Sequence, residues 1–194
     1  MSILLDAGPS LNFLAVGQQN ILIQVATAYG MTLATPARVD AEMTRKAQHD
    51  RFARTGVAGR WGTLKSSGRI TVLDDTIDDS RFIGCIERCS GMPAPERTKR
   101  LESLGELMVI AHASVLCQDG KTVAVLIDDR DGRRIARAEM RWLEAHGHQR
   151  FELWGTGQVV RQAADHPGWI SGGRHWTKVY DHMRDYDDGL APRP

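Results

Sequence analysis

TVAVLIDDRDGRRIA, residues 122–136, contains the signals that decide the fold. Its first part, TVAVLI, has the length and the aliphatic, β-branched composition of a buried strand. Asp128 and Asp129 follow at once, and a basic segment from about Arg130 to Ala145 predicts a helix. A buried strand that leads through a short polar turn into a helix is typical of α/β proteins.

The rest of the chain repeats this alternation. We predict four more strands, at residues 2–6, 31–35, 70–75 and 151–156. Helices are predicted at residues 9–17, 20–28, 37–48, 76–89 and 103–117, with two short helices near the end of the chain. Three stretches predict irregular structure: a glycine-rich loop or arm at 55–69, a linker at 91–100 and a frayed tail at 187–194. The alternation predicts an α/β fold with three layers, α/β/α, around a mostly parallel central sheet.

The composition is that of an ordinary globular protein that acts in the cytoplasm. The 194 residues carry a formal net charge of +1, so any attraction for nucleic acid must come from local patches. Three cysteines do not suggest a disulfide framework, and a reducing compartment fits them best. No apolar run reaches the roughly 18 residues of a membrane span, and the N-terminus lacks the basic start of a signal peptide.

Acidic residues recur where the predicted strands end. Asp6 follows the first strand, and Asp128 and Asp129 follow the strand 122–127; Glu42 and Glu106 lie on helices. Taken singly, each has an ordinary explanation as a helix cap, a turn residue or a solvated side chain. Taken together, they predict a cluster of oxygen ligands without His or Cys, which favours Mg²⁺ or Mn²⁺. Such a site is suited to phosphodiester hydrolysis.

Five segments in the same order resemble the PIN-domain family, and within it the VapC-like toxin ribonucleases. They are LLDAGPSLNFLA (4–15), TPARVDAEM (35–43), LGELMVIAHA (104–113), VLIDDRDGRRIA (125–136) and LWGTGQVVRQA (153–163). The resemblance implies a PIN-like nuclease domain over residues 1–165, with 166–194 as a C-terminal helical extension of the same domain. It also implies an endoribonuclease whose partners are RNA, a cognate antitoxin protein and a second copy of the chain in a homodimer.

Carried over to this sequence, the resemblance implies catalytic roles for Asp6, Glu42, Glu106 and Asp129. The implied metal ligands are Asp6, Glu106 and one or both of Asp128 and Asp129. Two alternatives stay open: an RNA-processing or DNA nuclease of the same fold, and a PIN-like module that binds RNA or protein without cutting it. Met108 favours the second alternative, because the subfamily often has a further acid at that position.

Basic residues supply candidate RNA contacts. Helical spacing puts four arginines on one stripe directly after the aspartate pair: Arg130, Arg133, Arg134 and Arg137. We predict that this stripe contacts RNA phosphates; the alternative is a solvated face with local salt bridges. Residues 38–69 could form a basic arm in which Trp61 stacks on a base, or a surface loop anchored by that ring. Cys85 and Cys89 share a helix face and are interpreted as small buried residues.

Overall fold

Five strands form one parallel sheet in the computed structural model of the protein. The structure describes residues 1–76, 78–187 and 189–192, and it describes Asp50 by its backbone alone. The strand order is β3-β2-β1-β4-β5. The strands are β1 (Ser2–Leu5), β2 (Thr32–Pro36), β3 (Ile70–Leu73), β4 (Val123–Leu126) and β5 (Glu152–Trp154). All five predicted strands are therefore confirmed, and the predicted mostly parallel sheet is parallel throughout.

Helices flank the sheet and complete the predicted α/β/α fold. They are α1 (Ala7–Ala15), α2 (Gln19–Ala28), α3 (Ala37–Lys46), α4 (Asp50–Ala53), α5 (Val57–Ser66), α6 (Ser80–Ser90), α7 (Ala94–Arg97), α8 (Leu104–Gln118), α9 (Arg130–Ala145), α10 (Thr156–Ala164) and α11 (Trp176–Arg184). One group, α6, α8 and α9, packs together, and α8 lies against β1, β2 and β4. In another group α10 contacts α2 and α11, and α2 contacts β2.

The helix α8 is the central packing element. Ten of its fifteen residues are buried, including Val109, Ile110 and Ala113. A helix that is apolar on all sides must be enclosed by protein, which explains why α3, α6 and α9 surround it. Glu106, in the first turn of α8, is the acidic exception in this apolar helix.

Most of the glycine-rich stretch 55–69 forms the helix α5, residues Val57–Ser66, rather than the predicted loop or arm. Val57, Trp61 and Leu64 of α5 are buried and recur at helical spacing, so their packing outweighs the poor helix propensity of glycine. The indole Nε1 of Trp61 donates to Oδ1 of Asp40 at 2.6 Å. The proposed role of Trp61 as a stacking ring for RNA is therefore wrong, because the ring is only 3% exposed.

Part of the predicted frayed tail packs against the protein. Leu190 is buried, and the hydroxyl of Tyr180 in α11 donates to the carbonyl of Ala191 at 2.9 Å. Asp188, Arg193 and Pro194, which also belong to the predicted tail, lie outside the described residues. The predicted linker 91–100 contains one helical turn, α7.

None of the helices in the described ranges combines the length and the apolar character that crossing a membrane requires.

Candidate metal centre

Asp6 lies at the carboxyl end of the central strand. Because β1 pairs with β2 on one side and with β4 on the other, the chain order reverses here, and α/β sheets bind ligands at such switch points. The backbone N–H of Asp6 donates to the carbonyl of Leu126, which places the residue beside the end of β4. The Asp6 carboxylate caps α1 by accepting from the N–H of Gly8, and the residue is only 5% exposed.

Glu42 reaches the same place from α3, through a gap left by a glycine. A Cβ atom on Gly105 would lie 2.9 Å from Oε2 of Glu42 and 3.6 Å from Oδ1 of Asp6. The missing side chain at the start of α8 therefore leaves room for two carboxylates to approach each other. The other oxygen of Glu42, Oε1, pairs with Nζ of Lys46 at 2.6 Å.

Glu106 enters the site from the first turn of α8, again beside a glycine. A Cβ atom on Gly132 would lie 3.2 Å from Cγ of Glu106 and 3.1 Å from Cγ2 of Ile127. Gly132 belongs to the first turn of α9, so its lack of a side chain lets Glu106 pass between α8 and α9.

The two aspartates after β4 have different partners. Oδ1 and Oδ2 of Asp128 accept hydrogen bonds from the N–H and the hydroxyl of Thr156, which tie the end of β4 to the start of α10. Asp129 caps α9 by accepting from Gly132 N at 2.7 Å, and this bond uses Oδ1 only. The charge of Asp129 also contributes to raising the pKa of Glu106.

All five predicted carboxylates line one cleft of 340 Å³ at the carboxyl edge of the sheet. They come from the β1–α1 junction, from α3 and α8, and from the β4–α9 turn. No His or Cys is among the described residues that line this cleft. The other lining residues are Gly8, Pro9, Lys46, Arg130, Asp187 and Gly189.

Two charged residues in the cleft were missed by sequence reasoning. Lys46 lies one helical turn after Glu42, and this Glu–Lys spacing was a readable signal. Asp187 has no such signal, because it lies in the stretch predicted to fray. The structure holds it in place by a 2.8 Å hydrogen bond from Nδ2 of Asn12, and its charge raises the pKa of Asp128.

The carboxylates interact strongly. Burial, and then the charges of Glu106 and Glu42, raise the pKa of Asp6 from 3.8 to about 8. Burial also raises the pKa of Glu106, with smaller contributions from the charges of Glu42 and Asp129, whereas Lys46 opposes the shift. Burial is the main cause of the raised pKa of Asp128 as well. Such shifts show that the cluster disfavours its own full ionisation, and a cation reverses this balance.

The cleft's carboxylates are spread more widely than the ligands of one ion. We searched the described residues for groups of three or more Asp, Glu, His or Cys side chains whose ligand atoms all lie within 4.8 Å of one another. One such group exists among them, and it consists of Cys85, Cys89 and Glu139. None of these three residues lines the cleft. Like charges repel, so a shared cation would have to draw the carboxylates inward. The donor set, oxygen atoms from separate elements around one cleft, nevertheless fits a hard divalent cation.

The arginine stripe divides into residues with different environments. Arg133 is half-buried, and its Nη1 donates to the carbonyls of Ile127 and Trp154 at 2.7 and 2.8 Å. Arg134 points elsewhere and pairs with Asp131 in solvent. Arg130 and Arg137 are exposed and line a pocket of 560 Å³ that also includes Asp128. Only part of the predicted stripe is thus positioned beside the acidic cleft.

Six of the eight basic residues of segment 38–69 fall into two groups. Arg60 and Lys65 have structural partners, since Arg60 donates to the carbonyl of Leu14 and Lys65 pairs with Asp40, each at 2.7 Å. Another group lines two pockets that share Lys46 with the acidic cleft: Arg38, Arg45, Lys46 and Arg51. The stacked rings of Phe52 and Tyr186 line one of these pockets.

Comparison of the chain with family models, with curated proteins and with solved structures finds no match in any of the three. The resemblance to the PIN-domain family therefore stays a prediction, and the site must be interpreted from its own chemistry.

Proposed function

We propose that the protein is a Mg²⁺- or Mn²⁺-dependent endoribonuclease with a PIN-like site. The observation that carries this proposal is the convergence of five carboxylates from four separate elements on one 340 Å³ cleft. All five carboxylates lie on segments that resemble the family, with Asp128 and Asp129 next to each other on the same segment. Helix capping explains single bonds of Asp6 and Asp129, and the link to Thr156 explains those of Asp128. None of these bonds explains why Asp6, Glu42 and Glu106 come together in one cleft.

The residues that would hold the cation are Asp6, Glu106 and Asp129, with Glu42 beside them. A bound divalent cation would supply Lewis-acid stabilisation of phosphate charge and activation of the attacking water. The carboxylates of Asp129 and Glu106 are the more accessible ones, whereas Asp6 is held at the base of the cleft by its contact with β4. Each side chain therefore approaches the same space from a different element, which fixes the geometry of the site.

Basic residues on both sides of the cleft would bind the RNA backbone. Lys46 and Arg130 line the cleft itself, so their ammonium and guanidinium groups are placed to contact the phosphate that is cut. Arg137 on one side and Arg45 on the other line the adjoining pockets. A single strand that crosses the cleft would therefore meet positive charge before and after the acids.

A second candidate function is an RNA- or protein-binding module that does not cut. The ion pair between Lys46 and Glu42 favours it, because a lysine that neutralises one carboxylate partly replaces a metal cation. The wide spacing of the cleft's carboxylates points the same way. In this function the basic pockets would bind a partner, and the carboxylates of the cleft would have no catalytic role.

Cleavage of labelled single-stranded RNA by the purified chain separates the two functions. We expect cutting with Mn²⁺ or Mg²⁺, none with EDTA, and none by Asp6→Asn, which is nearly isosteric. Glu144→Gln, which removes an exposed carboxylate near the far end of α9, is the matched control and should cut at the wild-type rate. Binding without cutting by a correctly folded wild type in both metals would favour the second function. A DNA strand of the same sequence tests the nuclease alternative.

The cellular part of the proposal is a toxin of a toxin–antitoxin pair, acting in the cytoplasm as a homodimer and held by an antitoxin protein. It is supported by the family resemblance alone. Induced expression should stop growth, and Asp6→Asn should not. Normal growth of cells that express an active nuclease would contradict the toxin role without contradicting metal-dependent RNA cleavage.

A further inference from the structure

A cluster of metal-binding side chains lies between α6 and α9, apart from the acidic cleft. Cys85 and Cys89 stand one turn apart on α6, and Glu139 faces them from α9. The two Sγ atoms are 3.8 Å apart, and Sγ of Cys89 is 3.9 Å from Oε2 of Glu139. We propose that these three residues bind a zinc ion whose fourth position is open to water.

Two of the three ligand–ligand distances are close to those that a tetrahedral zinc ion needs, and the third, between Sγ of Cys85 and a carboxylate oxygen of Glu139, is within 4.8 Å. With Zn–S bonds of about 2.3 Å, two sulfur ligands lie about 3.8 Å apart, and a sulfur and a carboxylate oxygen lie about 3.5 Å apart. The observed sulfur–sulfur distance of 3.8 Å already matches, and the sulfur–oxygen distance of 3.9 Å needs a small movement. Cys85 is buried and Cys89 is half-buried, so the site has one side near solvent.

Glu139 presents one oxygen to the sulfurs and uses the other for structural bonds. Its Oε1 accepts from the hydroxyl of Ser114 and from Nη2 of Arg88, each at 2.6 Å. Its Oε2 has only a longer contact, 3.3 Å from Nε of Arg88, in addition to the sulfur of Cys89. The carboxylate is therefore oriented mainly by the two short bonds to Oε1, and a metal bound at Oε2 would replace only the longer bond from Nε of Arg88.

Arg88 does not prevent cation binding, because the charges balance. Two thiolates and one carboxylate carry three negative charges, which Zn²⁺ and one guanidinium neutralise together. Arg88 also has a partner of its own, since its guanidinium lies 3.5 Å from the centre of the Trp142 ring. This cation–π contact holds Arg88 against Trp142 while its guanidinium pairs with Glu139.

The main alternative is a reactive cysteine, and the surroundings disfavour it. Cys85 is buried and its sulfur lies against that of Cys89, whereas reactive cysteines are accessible to solvent. The donor set also differs from that of the acidic cleft, because sulfur ligands select zinc over Mg²⁺ or Mn²⁺. A zinc ion here would join α6 to α9 and stabilise the fold independently of catalysis.

Cobalt substitution of the full-length, reduced protein tests the site. Co²⁺ bound to thiolates gives a charge-transfer absorption band that Co²⁺ in the all-oxygen cleft does not give. We expect this band in the wild type, its loss on adding Zn²⁺, and a rise in thermal stability with Zn²⁺. Cys89→Ala and Glu139→Gln should weaken Zn²⁺ binding by more than about 100-fold, since even outer partners of a metal ligand contribute about 10–100-fold. Cys117→Ala removes the remaining buried cysteine and should behave as the wild type.

Absence of the band in a folded wild type would overturn the proposal, as would a band that persists in Cys89→Ala. Circular dichroism checks that each variant is folded. If Glu139→Gln unfolds because Arg88 loses its partner, comparison of the Co²⁺ band in the wild type and in Cys89→Ala still tests the zinc site. None of these outcomes depends on RNA cleavage, so the zinc site and the nuclease can fail separately.

Discussion

Gly105 lies so close to the carboxylate of Glu42 that a methyl group at position 105 would come within 2.9 Å of Oε2. The same methyl group would lie 3.6 Å from Oδ1 of Asp6. Gly105 is in a regular helix and has no positive φ, so backbone conformation does not require glycine there. The requirement is space for the Glu42 carboxylate, since the 3.6 Å approach to Asp6 is ordinary contact.

Gly105→Ala should therefore damage the cation site and leave the fold intact. The end of the Glu42 side chain has to move away, and the gain of about 1 kcal/mol in helix propensity from alanine offsets the cost of that movement. The free energy of unfolding should therefore change little. Displacing Glu42 should lower Mn²⁺ affinity by about tenfold, as for loss of other supporting groups. Gly62→Ala, in α5 with open space around its Cβ position, is the control and should keep full affinity. Equal Mn²⁺ binding by both variants in calorimetry would contradict the model of the site.

Asp6 should make the metal-free protein less stable as the pH rises. Its pKa is 3.8 in an ordinary environment and about 8 in the fold, so between these values the folded state holds a proton that the unfolded chain has lost. The free energy of unfolding contributed by this group therefore falls as the pH increases from about 4 to 8. Urea unfolding in EDTA across this range should show that decline.

Asp6→Asn is the control for this pH dependence. It should lose the part of the decline that comes from Asp6 and be more stable than the wild type at pH 8. Mn²⁺ should stabilise the wild type more at pH 8 than at pH 6, because binding requires the ionised carboxylate. Identical pH profiles for the two proteins in EDTA would show that Asp6 is not protonated in the fold.

The sequence was most informative where strand periodicity and chain order coincide. The strand before Asp128 and the strand before Asp6 were both readable, and parallel pairing of β1 with β4 brings their carboxyl ends together. The helix α5 was missed because its glycines hide a buried face formed by residues such as Trp61. Asp187 could not be foreseen, because it reaches the cleft through a bond to Asn12, 175 positions earlier. The helical spacing of the four arginines also could not show that Arg133 is half-buried and the others exposed, because that difference depends on packing against the rest of the protein.

Arg133 should contribute to stability rather than to RNA binding. Its guanidinium bonds the carbonyls of Ile127 and Trp154 and so joins the ends of β4 and β5. Arg133→Ala would remove charge-assisted hydrogen bonds from a half-buried site and should lower the free energy of unfolding by about 2 kcal/mol. Arg134→Ala removes an exposed arginine and should change stability by less than about 0.5 kcal/mol. Chemical denaturation compares the two, and an equal effect of both would refute this assignment.

Arg130 and Arg137 should provide the phosphate contacts of the stripe, since both are exposed and line the pocket beside Asp128. For single strands, each phosphate contact contributes about 0.7 to the slope of log K against log salt concentration, so the double Arg130→Ala, Arg137→Ala variant should lose about 1.4. RNA affinity is measured across a salt series in an Asp6→Asn background, which prevents cleavage. Arg134→Ala is the matched control: it removes the same charge from the same helix at a side chain that pairs with Asp131 and does not line the pocket. A double variant with the control's slope would mean that RNA is bound from the other side of the cleft, where Arg45 and Lys46 lie.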